Sequence, residues 1–179
     1  MDPARSESEL VEEAKTNPQA LGLLYRTFEP RITAYVMRRV GDKHEAEDIV
    51  ADVFLAMVRQ LPRYRCAETP FSAWLYRIAT NQISYWVRKR RIRSFFGSPP
   101  EVVDPQAESN RARPDDDGEQ VRLALSRLPL KFQSVLSLYY LEQLPVDKIS
   151  QVLECPTGTV KSRLARGRDL LQMELLRLR

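Results

Sequence analysis

Histidine and cysteine are scarce: His44 stands alone among 179 residues, and the two thiols are Cys66 and Cys155. A four-ligand zinc site needs more such residues, at closer spacing. His44-Glu45 opens like a zinc-protease helix, but there is no second His to complete the pair. Two distant thiols build no disulfide framework, so a reduced cytoplasmic chain is expected, with Cys66 a loop thiol and Cys155 a turn residue. Long apolar runs are also lacking. None approaches the ~20 residues of a membrane span, so no membrane insertion is expected. The first residues, Met1 to Glu7, are polar and acidic, unlike a signal peptide. Carboxylates are plentiful, but none is patterned with a nucleophile or a second base. Neither an enzyme nor a bound cofactor or metal is expected.

What is present is charge, unevenly spread. The net charge of +4 divides into −3 over residues 1–60, +7 over 61–95, −5 over 96–120 and +5 over 121–179. Two basic blocks separated by an acidic connector suggest two nucleic-acid contacts. With 43% apolar residues the chain can also build a packed core.

Periodicity reads as helices throughout. Residues 1–16 suggest a short helix, and Asn17-Pro18 restarts the chain. Leu21, Leu24, Tyr25, Phe28, Ile32, Val36 and Val40 recur at three and four, with Pro30 inside the run as a kink or break. Gly41-Asp42 ends it. The next helix, about Glu45 to Gln60, turns Ala46, Ile49, Val50, Val53, Phe54, Met57, Val58 and Leu61 inward. Asp48, Asp52, Leu55 and Arg59 fall on its far side. A lone exposed Leu is ordinary, but one flanked by carboxylates also suits a protein partner with a basic, apolar surface. A proline-bounded loop, residues 62–70, then carries Arg63-Tyr64-Arg65.

A long helix follows, about Phe71 to Arg93, with Phe71, Leu75, Ile78, Ala79 and Trp86 inward. Trp74, Arg77, Asn81, Ser84, Tyr85, Arg88 and Arg91 share its outer face. Aromatic faces stack on unpaired bases for ~1–3 kcal/mol each while cations hold the backbone. The plainer reading makes Trp74 and Tyr85 core residues with snorkelling Arg neighbours. It accounts less well for the Arg63–Arg65 loop and the Arg88–Arg93 run, which together look like a site for single-stranded or melting DNA. Residues 94–119, rich in Pro and Asp, read as a flexible acidic linker.

Beyond the linker, Val121, Ala124, Leu125 and Leu128 form one helical face, and Phe132, Val135, Leu136 and Tyr139 the next. Pro145 to Arg168 then reads as a helix-turn-helix. Ile149, Val152 and Leu153 make a short stripe, Glu154 to Pro156 break it, and Thr157 is the expected N-cap of a second helix. In that helix Val160, Leu164, Gly167 and Leu171 face inward, while Thr159, Ser162, Ala165, Arg166 and Asp169 face out and Lys161 and Arg163 flank them. Small hydroxyl and Arg side chains on an outer face suit a DNA major groove, where Arg pairs with guanine and Ser or Thr reaches bases or phosphates. The alternative is a solvated helix of an ordinary bundle. Leu170 to Leu178 extend the second helix.

Two stretches, taken together, carry a family likeness. One is Glu45-Ala-Glu-Asp-Ile-Val-Ala-Asp-Val-Phe-Leu55 through Pro70-Phe-Ser-Ala-Trp-Leu-Tyr-Arg-Ile-Ala-Thr-Asn81. The other is Leu128-Pro-Leu-Lys-Phe132 with Cys155-Pro-Thr-Gly-Thr-Val-Lys-Ser-Arg-Leu-Ala-Arg-Gly-Arg168. In this order they resemble the extracytoplasmic-function sigma factors of bacterial RNA polymerase, over nearly all of residues 10–175. The resemblance implies an all-α protein of two small helical domains joined by a flexible linker. Residues 1–94 would be the region 2 domain, 95–119 the linker, and 120–179 the region 4 helix-turn-helix domain. Asp48, Asp52, Leu55 and Arg59 would dock on the clamp helices of the large polymerase subunit. Arg63, Tyr64, Arg65, Trp74, Arg77, Asn81, Tyr85 and Arg88 would capture and hold the melted −10 strand. Thr159, Lys161, Ser162, Arg163 and Arg166 would read the −35 duplex. The implied partners are core polymerase and promoter DNA, both double- and single-stranded. Such factors are commonly held by an anti-sigma protein, though no residue here identifies one. The chain departs from the pattern at Ser150, where Ala is usual, and at Ser84 and Tyr85, where an Asp often lies. The rival reading is a helix-turn-helix regulator that binds duplex DNA without polymerase.

Overall fold

The computed structural model describes residues 6–67, 69–95 and 116–178. Among them the secondary structure is helical. The helices are α1 (Glu7–Ala14), α2 (Pro18–Val40), α3 (Lys43–Gln60), α4 (Phe71–Phe95), α5 (Asp116–Arg127), α6 (Leu130–Leu136), α7 (Val146–Leu153) and α8 (Thr157–Leu178). A short 3₁₀ turn, Leu61–Arg63, follows α3, and a π-helical turn, Ser137–Leu141, follows α6.

Local chemistry sets the helix ends. Ser6 and Glu9 form a reciprocal capping box on α1. Asn17 caps α2 with Pro18 in its first turn, and Gly41 closes α2 at φ +79°, a left-handed position that suits glycine. Asp42 then caps α3 by accepting from the Glu45 amide at 2.8 Å. Pro30 neither splits α2 nor stops it. Its ring is on the exposed side, where water can satisfy the carbonyl left without a donor.

In the N-terminal half, Val11, Leu24, Phe28, Ile32 and Val36 meet Val53 and Met57 of α3 and Phe71, Leu75 and Ala79 of α4 in one buried core. Each such side chain contributes about 1.5–3 kcal/mol by leaving water. Val58, expected inward, is 45% exposed. It lies at the margin of a stripe already filled by Phe54 and Met57.

In the C-terminal half, α8 packs against α5 and α6, with Val160, Leu164 and Gly167 inward as expected. A Cβ at Gly167 would lie 3.3 Å from Leu136, so α6 and α8 approach closely there. Tyr139 is a correction: it is 39% exposed, and Leu138 is buried in its place. The wider turn over Ser137–Leu141 rotates the face by part of a residue, which a 3.6-residue period does not anticipate. Helix α5 begins at Asp116, so the end of the expected 95–119 linker is already helical; residues 96–115 lie outside the described ones. Helix α8 begins at Thr157, one residue earlier than its expected capping role allows. The cap position falls to Pro156, whose carbonyl accepts from Thr159 and Val160.

The two halves are in contact. Helix α7 lies on α4, and the buried residues of both halves form one continuous cluster. A hydrogen-bonded chain crosses the join. Arg39 donates to Tyr35 Oη at 2.9 Å and to Ser134 Oγ at 3.2 Å, and the Tyr35 hydroxyl is 2.9 Å from Thr80 Oγ1.

Candidate nucleic-acid and polymerase interface

Three surfaces carry the residues singled out in the sequence. On α3, Asp48, Asp52, Leu55 and Arg59 are all exposed along one stripe, and Leu55 is 53% exposed. The apolar area there is larger than sequence showed. Val58 adds to it, and Tyr25 of α2, 44% exposed, places its ring 4.6 Å from that of Phe54.

On the loop and α4 the set divides. Arg63, Arg65, Asn81, Tyr85 and Arg88 are exposed, with Tyr85 at 58%. Arg77 is half-buried. Tyr64 is not an exposed stacking ring. It is 6% exposed, donates its hydroxyl to the Thr69 carbonyl and packs edge-on against Phe71 at 5.6 Å. Burial pushes its phenol pKa well above the ordinary value. Trp74 is half-buried, 4.7 Å from Tyr64 and 5.4 Å from Phe71. These rings anchor the loop, and the proline-bounded segment folds them back onto the start of α4. The basic heads are thereby held around a rigid aromatic base. Inward Trp86 donates its indole N–H to the Glu45 carboxylate, tying α4 to the start of α3.

On α8, Lys161, Ser162 and Arg166 are exposed, and Thr159 and Arg163 are half-buried. Ser162 Oγ donates to the Thr159 carbonyl at 3.0 Å, and Arg163 Nη1 lies 3.7 Å from Cys155 Sγ. A Cβ at Gly158 would meet nothing within 4 Å, so the front of the helix start is open. Helix α8 thus has an apolar back fixed on α6 and a basic, hydroxylated front.

The residues that join the halves escaped sequence reading. Glu142 accepts from Arg38 and from the Tyr76 hydroxyl, and Glu154 meets Arg77 at 2.6 Å. No periodicity marks them, since their partners lie far along the chain. Glu154 itself sits at φ +49°, where Gly is the easier residue.

Residues 24–92 match the family model for sigma-70 region 2, and residues 118–171 match that for sigma-70 region 4. The chain is an extracytoplasmic-function sigma factor. It directs promoter-specific transcription initiation with RNA polymerase, and the polymerase-independent regulator is not favoured. Among similar proteins, the ECF RNA polymerase sigma factor SigW of Bacillus subtilis is 28% identical over 90% of this chain and 91% of its own. The RNA polymerase sigma-H factor of Pseudomonas aeruginosa is 28% identical over 94% and 93%. In fold, this sigma factor resembles RpoE of Bartonella quintana, solved with the anti-sigma factor NepR (TM-score 0.70, 22% identity, 88% of this chain and 96% of that one). It also resembles CnrH, solved with the cytosolic domain of CnrY (TM-score 0.71, 23% identity, 94% and 96%). None of the described helices is long and apolar enough to cross a membrane.

Proposed function

We propose that the three surfaces divide the work of initiation. The α3 stripe docks on core polymerase through Leu55, Asp48, Asp52 and Arg59. The exposed Arg63, Arg65, Asn81, Tyr85 and Arg88 hold the melted −10 strand, with Arg77 beside them, while buried Tyr64 and half-buried Trp74 keep that platform rigid. The front of α8 reads the −35 duplex through Thr159, Lys161, Ser162, Arg163 and Arg166. Residues 1–94 and 120–179 act as the two promoter-binding domains. The protein supplies no chemistry of its own and works in the cytoplasm, where the polymerase is.

The observation that carries this reading is the separation of the three sets onto three surfaces, on α3, on the loop with α4, and on α8, with Leu55, Asn81, Tyr85, Lys161 and Arg166 among the side chains they expose. Melting costs a few kcal/mol per unstacked step, so a stacking and amide-bearing face on α4 is what an opened strand needs. Two weak DNA contacts on one chain add through effective concentration. The test is transcription in vitro with core polymerase on a genomic template library, with start sites sequenced. Starts sharing paired upstream elements are expected, and Asn81→Ala should impair opening more than duplex binding. Absence of any start from folded protein refutes the assignment.

An anti-sigma protein is the proposed regulator. Val121, Leu125, Tyr140, Leu141, Leu171 and Leu175 line an apolar groove of about 520 Å³ with Arg38 and Arg168 on its wall. Such a groove suits an amphipathic acidic helix.

A further inference from the structure

Arg39, in the last turn of α2, is 9% exposed and carries its charge into the join between the halves. Its hydrogen-bond partners are neutral. Nη1 donates to Tyr35 Oη at 2.9 Å, Nη2 donates to Ser134 Oγ at 3.2 Å, and Nε is buried with no acceptor. Among the described residues no carboxylate pairs with it. The Tyr35 ring, 5.6 Å away, and the C-terminus of α2 offset part of the cost. A buried cation without a counter-charge is otherwise strongly unfavourable, so this part of the join is short of an anion.

Ser134 leads from Arg39 to a place for one. It lines a cavity of about 260 Å³ between the halves, with Asn81 and Ser84 of α4, Lys131 of α6 and Arg163 of α8. Among the described lining residues the one carboxylate is Glu154, and Arg77 already holds it at 2.6 Å. The hydroxyls of Ser84 and Ser134 donate to the carbonyls of Thr80 and Leu130. The donors left over are the cations and an amide. Lys131 lies 5.1 Å over the Phe132 ring and, like the Asn81 amide, has no hydrogen-bond or ion-pair partner among the described residues. Arg163 reaches a thiol, Cys155 Sγ, at 3.7 Å. Arg and Lys donors grouped in this way hold phosphate oxygens through charge-assisted hydrogen bonds. Pockets for drug-sized ligands run to about 300–1,000 Å³, so this smaller one suits a compact anion rather than a nucleotide.

We propose that the cavity is a binding site for a small free anion of the phosphate class, held by Lys131, Arg163 and Asn81, with Arg39 adding its charge through Ser134. The walls come from both halves, so a bound anion bridges α4 to the C-terminal half. Their seating is thereby linked to the concentration of that ligand.

The test is calorimetric titration of the full chain with inorganic phosphate at fixed ionic strength, with chloride as the control. Saturable binding of phosphate and none of chloride is expected. The midpoint of thermal unfolding should rise with phosphate, because a ligand of the folded state stabilises it. Lys131→Ala removes an exposed side chain and should weaken phosphate binding about tenfold, as for one lost hydrogen bond to a charged group. Arg39→Met should weaken it as well; if that variant does not fold, Lys131→Ala decides alone. Affinity for a fluorescein-labelled, random-sequence single-stranded DNA should be the same in Lys131→Ala as in the unmodified chain, since Lys131 belongs to none of the DNA-contacting sets. Absence of phosphate binding overturns the proposal, and so does equal phosphate affinity in the unmodified chain and Lys131→Ala. A parallel loss of phosphate and DNA affinity overturns it too, because the cavity would then seat the backbone of the strand and not a free anion.

Discussion

The rings of Tyr64 and Trp74 lie 4.7 Å apart, tilted by 37°, with Tyr64 sealed beneath the loop that carries Arg63 and Arg65. The two residues best suited by type to stack on a base instead stack on each other. Tyr64 should therefore behave first as a structural residue. Tyr64→Ala removes a buried ring and should cost about 3–5 kcal/mol of stability. Tyr64→Phe loses only the hydrogen bond to the Thr69 carbonyl, about 1 kcal/mol. Thermal unfolding measures both, and transcription by the Phe variant should stay near that of the unmodified protein. A Phe variant that melts normally but cannot open promoters would return Tyr64 to direct contact with DNA.

On α3 the test runs the other way, because the side chains already face water. Leu55→Ala with Asp48→Lys should leave the unfolding free energy within about ±0.5 kcal/mol of the unmodified protein's, as for ordinary surface substitutions. Retention of core polymerase in a pull-down should nevertheless be lost. A double variant that still retains core would move the docking surface off α3.

These contrasts show what periodicity can and cannot deliver. Apolar spacing located every long helix and the inward face of α8, because burial repeats with the helical turn. It put Tyr139 inside, because the π-helical turn over Ser137–Leu141 breaks the period it relies on. It left Tyr64 among the exposed candidates, because a loop has no period to read. Family resemblance supplied the functional grouping of Asp48, Asp52 and Leu55, which charge and spacing alone left ambiguous. The contacts of Glu142 and Glu154 were invisible at the sequence level. Their donors, Arg38, Tyr76 and Arg77, are brought near only once α7 is seated on α4.

The front of α8 should be read through salt dependence. Arg163→Ala with Arg166→Ala should weaken duplex binding. If both contact phosphates, the slope of log affinity against log salt should fall by roughly 2, about 1 per lost contact. If one pairs with guanine, discrimination between promoter and random duplex should fall by about 1–3 kcal/mol while that part of the slope persists. Fluorescence anisotropy across a salt series separates the cases. An unchanged slope together with unchanged discrimination removes both residues from the interface.

Gly167 tests how tightly that helix is seated. A Cβ there would sit 3.3 Å from Leu136, which is 2% exposed and has little room to move. Gly167→Val should therefore overpack the α6–α8 contact and cost about 1–3 kcal/mol. Gly167→Ala is the sensitive control, since a helical Ala gains back up to about 1 kcal/mol of propensity. Chemical denaturation should rank the unmodified protein and the Ala variant close together, with the Val variant below both. Equal midpoints for all three would mean that α8 lifts away from Leu136 at little cost.

Alkaline pH should loosen the join between the halves, for a reason that can be followed by sign. Burial, and then the neighbouring Glu142 carboxylate, push the Tyr76 phenol above its ordinary value of 10.0. The folded chain therefore holds this proton more tightly than the unfolded chain does. The resulting stability is fully present below the unfolded value near 10 and is lost as pH rises through the higher folded value. Ionised Tyr76 would also set a phenolate against a carboxylate. Stability measured by denaturant titration should thus decline above pH 10, and Tyr76→Phe should flatten part of that decline while lowering stability at neutral pH. The flattening should be partial, because buried Tyr64 is shifted in the same direction. A Tyr76→Phe variant with the full alkaline decline would mean that Tyr76 does not titrate with folding.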